Sequence, residues 1–295
     1  MNSILEKIAP KVVAGWRGQI ESSGNPMAEL LARGEVRPVG QGLYVFRGRL
    51  ALLLASLRKR VQQLFHDFHA EEIYVPTLLS WDMTERAEYL KSFAHQALPV
   101  TDTVGGAVVA LSCPTVCHHY FASQSGRTLE KPELVTAESR CSRNEAGEDL
   151  SRLKNFTMRE IVGIGSREFC LEHHDRIRQR VCSLLQEEFD LTFDLRTAHD
   201  PFFGPDQMMK EKSQLLMESK LELHATLPFN GSTLSVGSFN KHQSVFLRRF
   251  SISGSLAESF CVALGLERLL FAIVAQKGTD FDAPYYKCLL ENAAG

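Results

Sequence analysis

No stretch of the 295-residue chain approaches the roughly 20 consecutive apolar residues that a membrane-spanning helix needs. Its first residues, MNSILEKIAP, mix acid and base without the apolar core of a secretory leader. Both absences argue for a cytoplasmic protein without membrane partners. Surplus charge is missing too: 33 Lys and Arg stand against 35 Asp and Glu, so nothing pulls the whole molecule toward a polyanion and a large nucleic-acid footprint is not expected. The seven cysteines are odd in number and scattered, which excludes a secreted disulfide framework and leaves reduced thiols or metal ligands. Cys170, Cys182 and Cys288 read as ordinary buried or half-buried thiols. Repeats and low-complexity tracts are absent, and 44% hydrophobic with 23% charged residues is enough apolar material for a sizeable core.

What is present is a succession of hydrophobic periods. Residues 1–45 carry turn signals (Gly24-Asn25-Pro26, Gly34, Pro38, Gly40-Gln41-Gly42) and read as an N-terminal extension ahead of a main domain over 46–295. From Leu50 onward, Leu53, Leu57, Val61, Leu64 and Phe68 recur at three and four, which predicts an amphipathic helix. EEIYVPTLLS predicts a strand ended by Pro76, VVALSCP a second, ELVTAESRCSR a third and Ile161 to Ile164 a fourth. Ser166 opens a long helix on Phe169, Ile177, Val181, Leu184 and Phe189; LTFDLR and STLSVGSF follow as strands and LERLLFAIV as a helix. After Pro205, residues up to 222 predict one more helix, with Met208, Met209, Leu215, Leu216 and Met217 among Lys210, Lys212 and Lys220. Such a helix either covers the sheet or offers an adaptable face to a small acidic partner. Few helices between many strands predict an α+β fold with a mixed or antiparallel sheet.

Charge concentrates in ESRCSRNEAGEDLSRLKNFTMREIVGIG, residues 138–165. A hairpin there would put Arg143 and Glu145 at the end of one strand and Phe156, Arg159 and Glu160 on the return. A guanidinium offers planar donors to phosphate, a carboxylate can accept from an exocyclic amine, and a phenyl ring gives a base a surface to stack on. Those three together suit a nucleotide; without further context they equally suit a solvated loop of surface ion pairs.

The context comes from a resemblance. SRNE followed by RLKNFTMREIV resembles motif 2 of class II aminoacyl-tRNA synthetases, and CVALGLERLLFA resembles their motif 3, in the same order. PTVCHHYF, FTMREIVGIG, AHDPFFG with MMK after it, SFNKHQ and CVALGLERL resemble more closely the amino acid:[carrier protein] ligases, truncated relatives of the zinc-dependent, methanogen-type seryl-tRNA synthetases. The resemblance covers about residues 70 to 275, and five motifs in one order are specific where one would be weak.

That resemblance implies a class II synthetase-like core, α+β, with a mixed, mainly antiparallel sheet flanked by helices. It implies a ligase that activates a small amino acid, glycine or alanine, with ATP as the aminoacyl-adenylate and transfers it to the phosphopantetheine thiol of a carrier protein. Arg143 would hold the α-phosphate, Glu145 the adenine amine, Phe156 the adenine ring and Arg268 the γ-phosphate. Cys117, Glu160 and Cys261 would be zinc ligands, a set suited to a site with one position open for an amine. Cys113 offers a second thiol four residues before Cys117; alignment on Pro114 favours Cys117. Arg159 would contact substrate or phosphate. No acidic residue stands close before SFNKHQ, so Ser238, Asn240 and Gln243 would line the site and Mg2+ would be held mainly through ATP. A homodimer is implied by analogy, and tRNA as a partner is not, since the chain shows no strongly basic segment. The alternatives are tRNA aminoacylation of the seryl type and a non-catalytic paralogue binding nucleotide or zinc.

Overall fold

The computed structural model describes residues 9–145, 147–255 and 258–291. Eight strands form its main sheet: Val12–Trp16 (β1), Glu71–Glu72 (β2), Glu133–Ser142 (β3), Asn155–Gly165 (β4), Phe193–Thr197 (β5), Lys220–Leu227 (β6), Ser232–Gln243 (β7) and Glu258–Gly265 (β8). Their spatial order is β1, β5, β6, β7, β8, β4, β3, β2. Every neighbouring pair is antiparallel except β2 with β3. The sheet is thus mixed and mainly antiparallel, as expected, and residues 12–16 supply its outer edge.

Two strands exceed the expectation in length. The strand expected at Ile161 begins at Asn155, and STLSVGSF continues to Gln243. β6 is a strand that the helix reading of residues 200–222 had hidden. Its alternation puts Leu221, Leu223, Ala225 and Leu227 into the core and leaves Glu222, His224 and Thr226 half-buried on the other face.

Helices Gly48–His66 (α1), Arg167–Ser183 (α3) and Leu266–Lys277 (α5) join one core with the sheet, while Val116–Ser123 (α2) belongs to a second cluster and Gln207–Leu216 (α4) lies further out. The Leu53, Leu57, Val61 and Leu64 stripe of α1 is buried as its spacing predicts, together with Leu50, Leu54 and Phe65. α3 starts where Ser166 accepts a hydrogen bond from the Phe169 amide, 3.2 Å away, a cap worth about 1 kcal/mol. α5 is buried on nearly all sides because it touches both the sheet and α1. That uniform burial explains why its sequence lacks a polar stripe.

Two clusters divide the core. One gathers Ile161, Phe239, Phe260, Val262 and Leu264 with the three helices; the other gathers Leu111, Tyr120, Phe121, Val162, Ile164 and Phe250 around α2. At Gly163 a Cβ would lie 2.2 Å from the Phe260 ring, so no larger residue fits where β4 meets β8. Cys170 and Cys182 are buried as expected, whereas Cys288 is exposed. No helix among the described residues is long and apolar enough to cross a membrane.

Candidate active site

A cleft of about 940 Å³ opens over the central strands. Its floor is Phe156, Met158 and Glu160 of β4, Glu222 of β6, Ser238 and Asn240 of β7 and Cys261 of β8. α2, α4 and the short helix Tyr89–Phe93 also contribute to its lining. Two non-glycine residues of the lining hold left-handed backbone, Glu88 at φ 53° and Gln243 at φ 51°. Each conformation costs about 1–3 kcal/mol and persists only where the surroundings enforce it.

One end collects the residues of the charged hairpin. Arg143 follows β3, its guanidinium carbon 5.8 Å from the centroid of the Phe156 ring, and its side chain donates to the Ser142 carbonyl at 2.9 Å. Glu145 accepts from Gln96 at 2.7 Å and from Arg152 at 2.6 Å. Arg268, in the first turn of α5, reaches the Ser235 carbonyl at 3.4 Å. Burial, then the neighbouring Arg152, weakens its hold on its proton relative to a free guanidinium. Two guanidiniums and a flat ring on one wall can receive a polyanion with an attached base.

The other end collects thiols. Ligand atoms of Cys117, at the start of α2, of Cys261 on β8 and of His242 on β7 all lie within 4.8 Å of one another. The nearness of the two sulfurs holds the Cys261 thiol well below its ordinary value against the effect of burial, and together with burial it raises that of Cys117. Asn240 donates to the Cys261 sulfur at 3.4 Å and to Ser238 Oγ at 3.1 Å. Glu160 caps α2: its carboxylate accepts from the Thr115 hydroxyl, from the Val116 amide at 3.1 Å and from the Cys117 amide at 2.9 Å. Burial, with Cys261 adding to it, pushes the Glu160 carboxyl up to about 8. Cys113 does not line the cleft; its sulfur lies 3.8 Å from that of Cys141.

Arg159 requires a correction. Side chains alternate along β4, so the residue between Met158 and Glu160 points away from the cleft. Arg159 is buried there, outside the cleft lining, donating twice to Glu72, at 3.0 and 2.8 Å. The helix expected to run to residue 222 is corrected as well. It stops at Leu216, and Lys220 opens β6 with its ammonium buried between Asp200, at 2.6 Å, and Glu222, at 2.9 Å. Burial opposes its charge, but the two carboxylates raise its proton affinity above that of a free lysine. Burial likewise opposes the Asp200 and Glu222 carboxylates, and Lys220 nevertheless holds both below their ordinary values.

Sequence reasoning missed several lining residues: His242, the Asp200, Lys220 and Glu222 group, and Tyr89. His242 stood inside SFNKHQ without a role. Glu222 lies directly across from Ser238, so an acid faces the cleft from the strand beside the one expected to carry it. Met208, Met209 and Leu216 of α4 are exposed, and so is Met217 just past its end. Lys210, in contrast, donates to Ser92 Oγ at 3.1 Å.

No protein-family model matches the chain. Among curated proteins it is 30% identical to amino acid-[acyl-carrier-protein] ligase 1 of Bradyrhizobium diazoefficiens over 264 residues, which is 80% of this chain and 78% of that protein. It is 26% identical to the type-2 serine-tRNA ligase of Methanothrix thermoacetophila, covering 90% of this chain but 60% of that protein. Among solved structures, the M. kandleri SerRS in complex with A. aeolicus tRNASec superposes with a TM-score of 0.81 at 21% identity, over 97% of this chain and 63% of the other. That likeness fixes the fold as the class II synthetase type, α+β, which the motifs led us to expect. The similarity to the Bradyrhizobium protein reaches further than fold, and the chain belongs to the amino acid-[acyl-carrier-protein] ligase family.

Proposed function

We propose that this protein activates a small amino acid, glycine or alanine, with ATP and transfers it from the aminoacyl-adenylate to the phosphopantetheine thiol of a carrier protein. The observation that carries the reading is one cleft with guanidiniums and a stacking ring at one end and paired thiols at the other. Arg143 would hold the α-phosphate and Arg268 the γ-phosphate, and Mg2+ would be held mainly through ATP. Phe156 and Glu145 would hold the base. The carboxylate of the amino acid attacks the α-phosphate in line, pyrophosphate leaves, and both arginines stabilise charge already in place, so that catalysis is positional and electrostatic.

The donor set at the other end fits zinc, which takes thiolate, imidazole and carboxylate ligands. Cys117 and Cys261 would hold the ion, with Glu160 completing the set and His242 within reach of both sulfurs. When bound, zinc supplies a Lewis acid for the free amine of the substrate. The distance between that end and Arg143 then selects an amino acid by its own backbone groups. Phe246 lines the cleft with its ring 4.8 Å from that of His242, and this bulk beside the thiol end supports the reading of a small side chain.

The exposed methionines of α4 support docking of a small carrier protein at the cleft mouth, where Met209 and Met217 also line the cavity. Met208→Glu on that face should slow carrier loading far more than amino-acid activation; equal slowing would make the helix structural. The reading as a whole is tested by amino-acid-dependent exchange of pyrophosphate into ATP. Exchange with glycine or alanine supports it; exchange with neither removes the substrate assignment.

A further inference from the structure

Between the two ends of the cleft sit two buried polar atoms that neither end uses. Among the described residues, the Tyr89 hydroxyl and His118 Nδ1 have no hydrogen-bond partner. Tyr89 is 5% exposed and His118 7%, both line the cleft, and their rings meet edge to face at 5.6 Å. Buried polar atoms are ordinarily paired, so two orphans carried by side chains that line one cavity imply a group that arrives from outside and draws them toward it.

Their position narrows the choice. His118 follows Cys117 directly, at the thiol end. Tyr89 leads toward the cleft mouth through a continuous chain of contacts: its ring lies 5.1 Å from Phe93, Phe93 stacks on Phe202 at 5.5 Å, and Lys210 of α4 donates to Ser92 and stands 5.7 Å over Phe202. A row of cleft-lining side chains therefore joins the orphans at the thiol end to α4, which carries the exposed methionines. Neither has a charged partner, which suits an uncharged donor and acceptor such as an amide or a thiol.

We propose that the Tyr89 hydroxyl and His118 Nδ1 are the hydrogen-bonding points that receive the terminal amide and thiol of the carrier's arm and align the sulfur on the adenylate carbonyl. The inference rests on the carrier-protein reading above and assigns positioning residues for its second step. In that step the sulfur bonds to the carbonyl carbon and the bond from that carbon to the phosphate oxygen breaks. AMP departs with the electron pair, and the thiol proton passes to water. Tyr89 and His118 hold the acceptor while this happens.

The test uses the full-length enzyme with ATP, Mg2+, glycine or alanine, and free pantetheine as the acceptor probe. Tyr89→Phe keeps the ring contacts and removes one oxygen. It should raise the KM for pantetheine about tenfold, the loss of a hydrogen bond in a buried site, and by about tenfold more than any change in the KM of the amino acid. His118→Leu should do the same, and His118→Asn, which restores a polar atom near the Nδ1 position, should recover most of the loss. Zinc content and near-ultraviolet circular dichroism, measured on each variant, separate lost positioning from lost metal or fold. Equal effects on both KM values, an effect on the amino acid alone, or no effect each overturn the assignment. A wild-type enzyme that exchanges pyrophosphate and never loads pantetheine overturns instead the acceptor reading on which the assignment stands.

Discussion

Cys117 and Cys261 place their sulfurs within 4.8 Å of each other, one at the first turn of α2 and the other in the middle of β8. Antiparallel pairing of β8 with β4 also sets Cys261 beside the strand whose Glu160 carboxylate caps α2, so a single sheet register assembles donors that are far apart in the chain.

From that relationship follows a metal prediction. Purified protein should contain about one zinc per chain. Cys117→Ser and Cys261→Ser should each empty the site. Cys113→Ser should leave it filled, because that sulfur contacts Cys141 instead. Elemental analysis decides it, and loss confined to the Cys113 variant would move the ion to the other thiol pair.

The Arg143 guanidinium donates to a neighbouring carbonyl and touches one ring, while the backbone amide that holds the Lys154 carbonyl survives any substitution of the side chain, so truncation should hardly change stability. Arg143→Ala should lower pyrophosphate exchange by on the order of 3 kcal/mol, or about a hundredfold, through loss of a charge-assisted phosphate contact. Exchange retained within a few fold, with an unchanged melting temperature, would remove the nucleotide assignment from this hairpin.

Arg159 should behave in the opposite way. Arg159→Ala strands Glu72 without its guanidinium and should destabilise the fold by about 3 kcal/mol. At temperatures where the variant stays folded, KM for ATP and amino acid should match the wild type. A rise in either without loss of stability would return Arg159 to the cleft.

His174 gives a pH dependence. Its ring is buried against Phe239 and Phe260 with no hydrogen bond on either nitrogen among the described residues. Burial pushes it down to about 4, outweighing the Asp175 carboxylate 3.5 Å away. The folded value lies below the unfolded one near 6.5, so the unfolded chain takes the proton first. Stability should be full above about pH 7 and fall by on the order of 3 kcal/mol as pH drops from 6.5 toward 4. His174→Leu should flatten that limb of the urea midpoint against pH; an unchanged slope would place the titration elsewhere.

The periodic elements were legible in the sequence because period and face coincide. The α1 stripe as far as Leu64, the Ser166 cap and the LTFDLR strand appear where spacing put them, whereas Phe68 lies beyond the end of α1 and the strand expected to run to Pro76 is only Glu71–Glu72. Parity was available and went unused on β4: Arg159 and Glu160 are neighbours in sequence and therefore cannot share a face. KLELHATL alternates just as clearly, yet the helix signal before it was carried past Met217, where Glu218 turns with φ 45°. His242, Tyr89 and His118 carried no spacing signal. They matter through what faces them across the fold, which a linear pattern does not contain.

The proposed product is a thioester on a carrier arm, and the intact mass of a phosphopantetheinylated carrier protein measures it. After incubation with the enzyme, ATP, Mg2+ and glycine or alanine, the carrier should gain the mass of one aminoacyl group, released by hydroxylamine and absent when the arm is missing. A carrier of unchanged mass beside a tRNA pool that becomes aminoacylated under the same conditions would contradict the account.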